Sequence, residues 1–154
     1  MVAITIILAL LVLLLFTLPS MNIELSPIPA IFVITTIESV DEITGHPNDD
    51  SRVILQHTGT ENYENKNLKA VFYRNGALVN CNIETMNGHD FISTSHFGVQ
   101  WMGGTGCSGS TWAPAEMIAL DFTDGTFFPA DTVQVDIADT ASGRIISRHT
   151  YHFP

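Results

Sequence analysis

Six histidines are the side chains of this chain best suited to bind a metal ion or to transfer a proton near neutral pH. No two of them lie four residues apart, as a zinc motif on a helix requires. His149 and His152 are three residues apart in a predicted strand, so they face opposite sides of it. We therefore predict scattered surface and loop histidines and no metal centre. The histidines are His46, His57, His89, His96, His149 and His152.

Two other stretches carry candidate chemistry. The acidic segment DEITGHPNDDS (41–51) has the hard oxygen ligands that calcium prefers, but it lacks the EF-hand spacing, so a solvated loop is favoured over a calcium site. Ser108 and Cys107, in GTGCSGS, are potential nucleophiles without the Gly-x-Ser-x-Gly elbow or a cysteine-protease signature. The sequence therefore predicts no catalytic residue, no cofactor and a protein that is not an enzyme.

The two cysteines, Cys81 and Cys107, form neither a Cys-x-x-Cys pair nor a zinc-ligand spacing. If the domain is exported, a disulfide between them would close a loop of roughly 25 residues and stabilise the fold by ~3 kcal/mol. The alternative is two separate thiols, one of them buried.

The charge balance excludes one class of partner. The formal net charge is −10, from 16 acidic and 6 basic residues. Such a surface repels phosphates, so nucleic acid is not an expected partner.

The first 18 residues are uncharged and almost entirely apolar, and the first basic residue is Arg52. A helix over 1–18 would be ~27 Å long, near the minimum for crossing a bilayer. It has no polar stripe, so we expect lipid or other helices on every side. An ordinary secretory signal has a basic start and a small-residue cleavage site; here the first is missing and the second is poor.

From residue 31 the hydrophobic pattern changes to period two with many β-branched residues, which is typical of strands. Six or seven short strands without a second convincing helix favour a β-sandwich. The predicted fold class is an N-terminal hydrophobic α-helix followed by an all-β immunoglobulin-like sandwich, with the helix at 1–18, a Pro-containing linker at 19–30 and the sandwich at 31–154. Strands are predicted at 31–40, 52–57, 68–81 (two strands around Asn75-Gly76), 117–122, 132–139 and 144–153, with one more around 96–101 in the irregular segment 82–115.

Three stretches resemble one protein family. MVAITIILALL resembles the hydrophobic segment of archaeal type IV pilins, and RVILQHTGTENYENKNLKAVFYRNG resembles their strand, turn and following strand. FFPADTVQVDIADTASGRIISR resembles the end of their sequence. The resemblance covers most of the chain except 82–115. Residues 58–61 (TGTE) replace the family's Gly-Gly-Asp turn, so His57 is assigned only a structural turn.

The resemblance implies a structural subunit, the major pilin of an adhesive archaeal type IV-like pilus. The implied partners are other copies in a homopolymeric helical filament, the prepilin peptidase and the pilus assembly machinery. The implied location is the cytoplasmic membrane before assembly and an extracellular filament at the cell surface afterwards. The implied hinge consists of Pro19, Pro27 and Pro29. The implied polymerisation core consists of Val2, Ile4, Ile6, Ile7, Leu8, Leu10, Leu11, Leu13, Leu14, Leu15 and Phe16.

A second hypothesis belongs to another functional class. The chain would be a monomeric, membrane-anchored extracellular module that binds a glycan on a stacking platform of Phe97, Trp101 and Trp112. Core packing is the competing use of at least one of these tryptophans. A secreted hydrolase is the third option, and it lacks any catalytic constellation.

Overall fold

The computed structural model describes residues 6–7, 26–41, 43–44, 46–92 and 96–154, with the side chains of residues 48 and 49 left out. This part of the chain forms ten strands, a short α-helix (α1, Thr105–Ser108) and a 3-10 helix (Asn65–Asn67). The strands are β1 (Phe32–Val40), β2 (Pro47–His57), β3 (Tyr63–Glu64), β4 (Leu68–Arg74), β5 (Ala77–Leu78), β6 (Val99–Gly103), β7 (Thr111–Trp112), β8 (Met117–Phe122), β9 (Thr132–Asp139) and β10 (Ile145–His152).

Two four-stranded antiparallel sheets form the body of the domain. One has the order β1-β2-β8-β6 and the other the order β10-β9-β4-β5, while β3 and β7 form a separate two-stranded pair. In the usual lettering of immunoglobulin domains this is A-B-E-D facing G-F-C plus one further edge strand. The described strands therefore follow the connectivity of that sandwich type.

Alternating apolar residues on the strands create the core. Ile118, Leu120 and Phe122 of β8 are fully buried, and the residues between them are more exposed. Phe72 of β4 meets Phe122 edge-on, with ring centroids 4.9 Å apart, so this contact joins the two sheets. Each fully buried large side chain removes enough apolar surface from water to contribute ~1.5–3 kcal/mol.

The turn between β4 and β5 is specified by its residues. Asn75 and Gly76 have φ angles of 51° and 81°, the left-handed pair that a two-residue hairpin requires. Asp131 fixes this turn from the neighbouring loop, because it accepts a hydrogen bond from Asn75 Nδ2 at 2.7 Å and pairs with Arg74 Nε at 2.6 Å. The turn is thus fixed by backbone preference and by tertiary contacts.

Side chains of β10 join the two sheets along one side of the sandwich. Ser147 is buried, and its Oγ accepts hydrogen bonds from the backbone N–H groups of Ile31 and Phe32, both at 2.9 Å. His149 Nδ1 accepts a hydrogen bond from the Ile34 N–H at 3.0 Å. These backbone N–H groups lie on the free edge of the first sheet, where no neighbouring strand accepts their hydrogen bonds. Side chains of the opposite sheet accept them instead.

The predicted fold class is wrong. It placed a hydrophobic α-helix ahead of the sandwich, whereas the described residues are almost entirely β, and none of their helices is long and apolar enough to cross a membrane. Within 1–18 only Ile6 and Ile7 are described, and the rest of that prediction lies outside the described residues.

The individual strand predictions fared better, because period-two alternation is a local signal. The predicted strands at 31–40, 117–122, 132–139 and 144–153 are confirmed as β1, β8, β9 and β10. The segment 68–81 forms β4 and β5 around Asn75-Gly76, and the strand expected around 96–101 is β6. The prediction of a strand at 52–57 was too short, because β2 starts at Pro47 within the acidic segment. The pair β3 and β7 and the helix α1 were not predicted.

Replacing Ser147 by alanine should test the junction between β1 and β10. The substitution leaves the Ile31 and Phe32 N–H groups without their acceptor, and an unsatisfied buried donor costs about 1–3 kcal/mol. We expect a loss of this size in the free energy of unfolding measured by urea denaturation. Thr150→Ala, at an exposed position of the same strand, is the matched control and should change it by less than about 0.5 kcal/mol. Equal effects of the two variants would contradict the assigned role of Ser147.

The His149 contact predicts a pH dependence of stability. Burial lowers the pKa of His149 below its ordinary value of 6.5, and only the unprotonated Nδ1 can accept the Ile34 N–H. Because the pKa is lower in the folded state, the contribution of this group is complete above about pH 6.5 and is lost as the pH falls through the lowered pKa. We expect the free energy of unfolding to fall over that window, and less steeply in His149→Gln, whose amide does not titrate. Parallel pH profiles for the two proteins would refute this prediction.

Candidate interaction surface

Trp101 is the largest aromatic side chain exposed on either sheet, and its strand holds it in one orientation. Of its surface, 46% is exposed. A Cβ atom added to Gly103, two residues further along the same face of β6, would lie 2.1 Å from Cζ2 of the ring. The ring therefore lies flat across the strand, and the glycine is required for this position.

Arg52 of β2 lies over the same ring. Its guanidinium carbon lies 5.4 Å from the centroid of the Trp101 ring, within the range of a cation–π interaction. Asp121 of β8 stands in register with both residues and lies between them in the sheet. The indole is thus fixed before any partner binds, so little conformational entropy would be lost on contact.

Outward positions of the same sheet extend this surface. Met117 of β8 is 47% exposed and stands in register with Gln56 of β2. We call this set the Trp101 surface, and it consists of Arg52, Gln56, Trp101, Met117 and Asp121. Its one positive side chain, Arg52, stands in register between two negative ones, Asp121 of β8 and Glu38 of β1. Trp, Met and Arg are enriched where proteins contact one another, so this surface is the best candidate for a protein interface.

The predicted aromatic platform is not formed. Trp112 is fully buried, 4.3 Å from the Phe32 ring centroid, and its indole N–H donates to the Glu116 carbonyl at 3.0 Å. Phe97 and Trp101 are exposed on the domain, but they lack the third ring. Pairing of β3 with β7 decided this outcome, because it sets Trp112 opposite Tyr63 at the edge of the core.

The structure holds Cys81 and Cys107 as two free thiols in place of the suggested disulfide. The two side chains pack against different glycines: Cys81 lies against Gly98, and Cys107 lies against Gly88. Burial raises the pKa of Cys81 to about 11 and also raises the pKa of Cys107, so both thiols are protonated and unreactive near neutral pH. The described structure therefore has the two cysteines as separate thiols, and a disulfide on export stays a prediction.

The histidines are distributed over the domain. His57 is buried against the Phe32, Tyr63 and Trp112 rings, where its Nδ1 accepts the Gly59 N–H at 3.0 Å. That bond closes the turn after β2, as expected for a structural role. His96 stacks on Phe91. Among the described residues, no group of three or more His, Cys, Asp and Glu side chains could hold a metal ion.

The acidic segment is partly structured by its own side chains. Asp41 Oδ1 accepts hydrogen bonds from the backbone N–H groups of Thr44 and Ile43, and these bonds, the one from Thr44 first, lower the pKa of Asp41. The later residues of the segment continue as β2. Asp41 therefore fixes a turn, and the end of the segment belongs to a strand.

The proline connector reaches the sandwich and is attached to it. The Pro29 carbonyl accepts the Arg148 N–H of β10 at 3.0 Å, and Thr58 Oγ1 donates to the Ala30 and Ile31 carbonyls. Pro27 lies in the irregular residues just before this point, while Pro19 lies outside the described residues. The predicted polymerisation core lies outside them as well, apart from Ile6 and Ile7.

Distant structural neighbours of this chain include two structures of archaellum proteins. The archaellum periplasmic stator protein FlaG from Sulfolobus acidocaldarius is 14% identical, with a TM-score of 0.42 over 79% of this chain and 97% of that one. The complex of the archaellum periplasmic stator proteins FlaF and FlaG from the same organism gives 12% identity and a TM-score of 0.43 over 84% of this chain and 94% of that one. Scores this low carry no argument about function. No family model and no curated protein matches the chain, so membership of the type IV pilin family is not shown.

The two tryptophans should differ in their importance for folding. Trp112→Ala empties a fully buried site and should lower the free energy of unfolding by about 3–5 kcal/mol. Trp101→Ala removes an exposed ring and its contact with Arg52, and should cost about 1 kcal/mol or less. Urea denaturation of the two variants measures the difference. A large loss of stability for Trp101→Ala would mean that this ring serves folding and is not available for binding.

Proposed function

We propose that this chain is a structural subunit of an archaeal type IV-like surface filament. Neighbouring copies would contact one another through the Trp101 surface and through the apolar segment 1–18. The observation that carries the proposal is the exposed, pre-positioned indole of Trp101 on an open sheet face. The resemblance of MVAITIILALL and of the two later stretches to archaeal type IV pilins supports the choice of assembly.

Electrostatics favours the Trp101 surface as the contact between copies. Each copy carries a net charge of −10, so two copies repel each other at most relative orientations. The repulsion is weakest where negative charge is partly offset, and on this surface Arg52 stands in register between Glu38 of β1 and Asp121 of β8. Trp101 and Met117 supply apolar area that leaves water on contact, which is the main favourable term in association.

The apolar segment would supply the second contact. Eighteen successive residues without a charge need an environment that excludes water, and copies of the same segment provide one when subunits assemble. Contacts between copies that do not close into a ring generate an open helical filament. In this proposal the subunit is first inserted in the cytoplasmic membrane and is processed by a prepilin peptidase. It is then assembled into an adhesive filament.

Negative-stain electron microscopy of sheared cell-surface material tests the proposal. The native chain should give fibres, and Trp101→Glu should reduce their yield strongly, because it puts a further negative charge into the contact between copies. Ile43→Glu makes the same change in charge at a side chain that is 93% exposed and lies outside the Trp101 surface, and it should leave the yield unchanged.

A second variant tests the apolar segment separately. Leu11→Lys places a charge in the middle of the run, and burying a lone ammonium is costly, so filaments should be lost. The sandwich should stay folded, as judged by an unchanged urea midpoint. Fibres at normal yield from both Trp101→Glu and Leu11→Lys would overturn the proposal. Dispersed particles from the native chain would favour a monomeric surface module instead.

A further inference from the structure

A cavity at one end of the sandwich is distinct from the Trp101 surface. It has a volume of about 380 Å³, within the ~300–1,000 Å³ typical of small-molecule sites. Its walls come from the residues around β3 and the start of β4 on one side, and from the β9–β10 turn on the other. The lining residues used below are Asn62, Tyr63, Glu64, Asn67, Asp139 and Arg144.

Backbone hydrogen bonds hold the two walls together. Thr140 N–H donates to the Asn67 carbonyl at 2.8 Å, which ties the β9–β10 turn to the 3-10 helix. Asp139 closes the turn itself, because its carboxylate accepts the N–H of Ser142 at 2.7 Å and its backbone N–H donates to the Arg144 carbonyl at 2.9 Å. The position of Arg144 at the mouth of the cavity is therefore set by a closed hairpin.

The floor of the cavity is apolar. Leu68 is buried, Ile146 is half-buried, and the ring of Tyr63 is half-buried between the cavity and the core, 5.3 Å from the Phe32 ring centroid. An aromatic ring held in this way offers a flat surface on which the C–H face of a ligand can stack.

The rim of the cavity is polar and mixed in charge. Glu64 and Asp139 contribute acceptors, Arg144 contributes donors only, and the amides of Asn62 and Asn67 contribute both. Glu64 is partly engaged, since Oε2 accepts a hydrogen bond from Asn67 Nδ2 at 3.0 Å and lies 3.3 Å from Lys66 Nζ. Within the described part of the chain, the side chains of Asn62 and Arg144 make neither a hydrogen bond nor an ion pair.

These groups select for one ligand chemistry. A phosphate or sulfate would face the carboxylates of Glu64 and Asp139, and a cation would face Arg144. A purely apolar ligand would cover the side chains of Asn62 and Arg144 without pairing them, which is costly. A ligand with several hydroxyl groups satisfies donors and acceptors together, because each hydroxyl is both.

We propose that this cavity binds a neutral, hydroxyl-rich ring, that is, a sugar residue, which stacks on Tyr63 and is hydrogen-bonded by Asn62 and Arg144. The site does not depend on filament assembly, and it lies outside the segment 82–115 and its aromatic residues. A free monosaccharide and the sugar of a surface glycan present the same chemistry to it.

Protein-observed NMR titration of the full chain tests this proposal. The chain should be held in a zwitterionic detergent without a sugar headgroup, because a maltoside or glucoside would itself compete for the site. The probes are D-mannose, D-galactose and N-acetyl-D-glucosamine, with inorganic phosphate as the charged comparison. At least one sugar should shift the resonances of Asn62, Tyr63 and Arg144 saturably, with a Kd on the order of 1 mM.

Variants distinguish this site from weak general binding. Arg144→Ala and Asn62→Ala should each weaken the binding by about tenfold, since both residues are exposed and neither supports the core. Asn80→Ala, which removes an exposed amide elsewhere, should leave the Kd unchanged. The proposal is overturned if no sugar binds saturably, if both variants bind like the native chain, or if phosphate binds and the sugars do not. Filament formation is measured separately, so failure of either proposal can be recognised without the other.

Discussion

The packing of aromatic rings between the two sheets is the interaction on which the rest of this structure depends. Phe72 from one sheet and Phe122 from the other meet edge-on, and Phe127 closes against both from the loop that follows β8. Once Phe122 is fixed inward, strand alternation fixes the direction of every other residue of β8. Met117 and Asp121 must then face outward, and β6 pairs beside them with Trp101 on the same outer face. The candidate interface therefore follows from how the core is filled.

The junction of β1 with β10 provides hydrogen-bond acceptors for backbone N–H groups of an edge strand. It thereby makes pairing of this edge with another chain less favourable. Ser147 and His149 accept N–H groups of β1 that would otherwise be open to pairing. Asp136 of β9 is almost fully buried and holds Arg148 in a bidentate pair at 2.6 and 2.7 Å, so β10 is held to its neighbour while it reaches β1. A charged group buried in this way costs free energy unless it is paired, and the pairing with Arg148 fixes the register of these strands.

The sequence allowed the strands with strict alternation to be predicted, because that signal is contained within each segment. It could not predict that Trp112 is buried, because that depends on pairing with Tyr63, which is far away in the chain. The same limit explains the cysteines, whose spacing says nothing about which loop each thiol packs against. The helix assigned to 1–18 lies outside the described residues, apart from Ile6 and Ile7. For the sites, the tryptophan at 101 could be named in advance, but its support by Arg52 and Gly103 required the sheet. The cavity lies between segments near residues 62–68 and 139–146, which are far apart in the chain. It therefore could not be predicted from any local sequence pattern.

The two candidate sites differ in the type of element that carries them. The Trp101 surface lies on middle and edge strands of a sheet, where side chains are held by three strands and little can change on binding. The cavity lies between the β9–β10 turn and the residues around β3, and its exposed rim residues Asn62 and Arg144 can vary without disturbing the core. A repeated contact between identical subunits requires a rigid, invariant geometry, whereas recognition of a variable external ligand is better served by loops on a rigid scaffold. Because the two sites use separate residues, a subunit engaged through its sheet face would still present the cavity at the end of the sandwich.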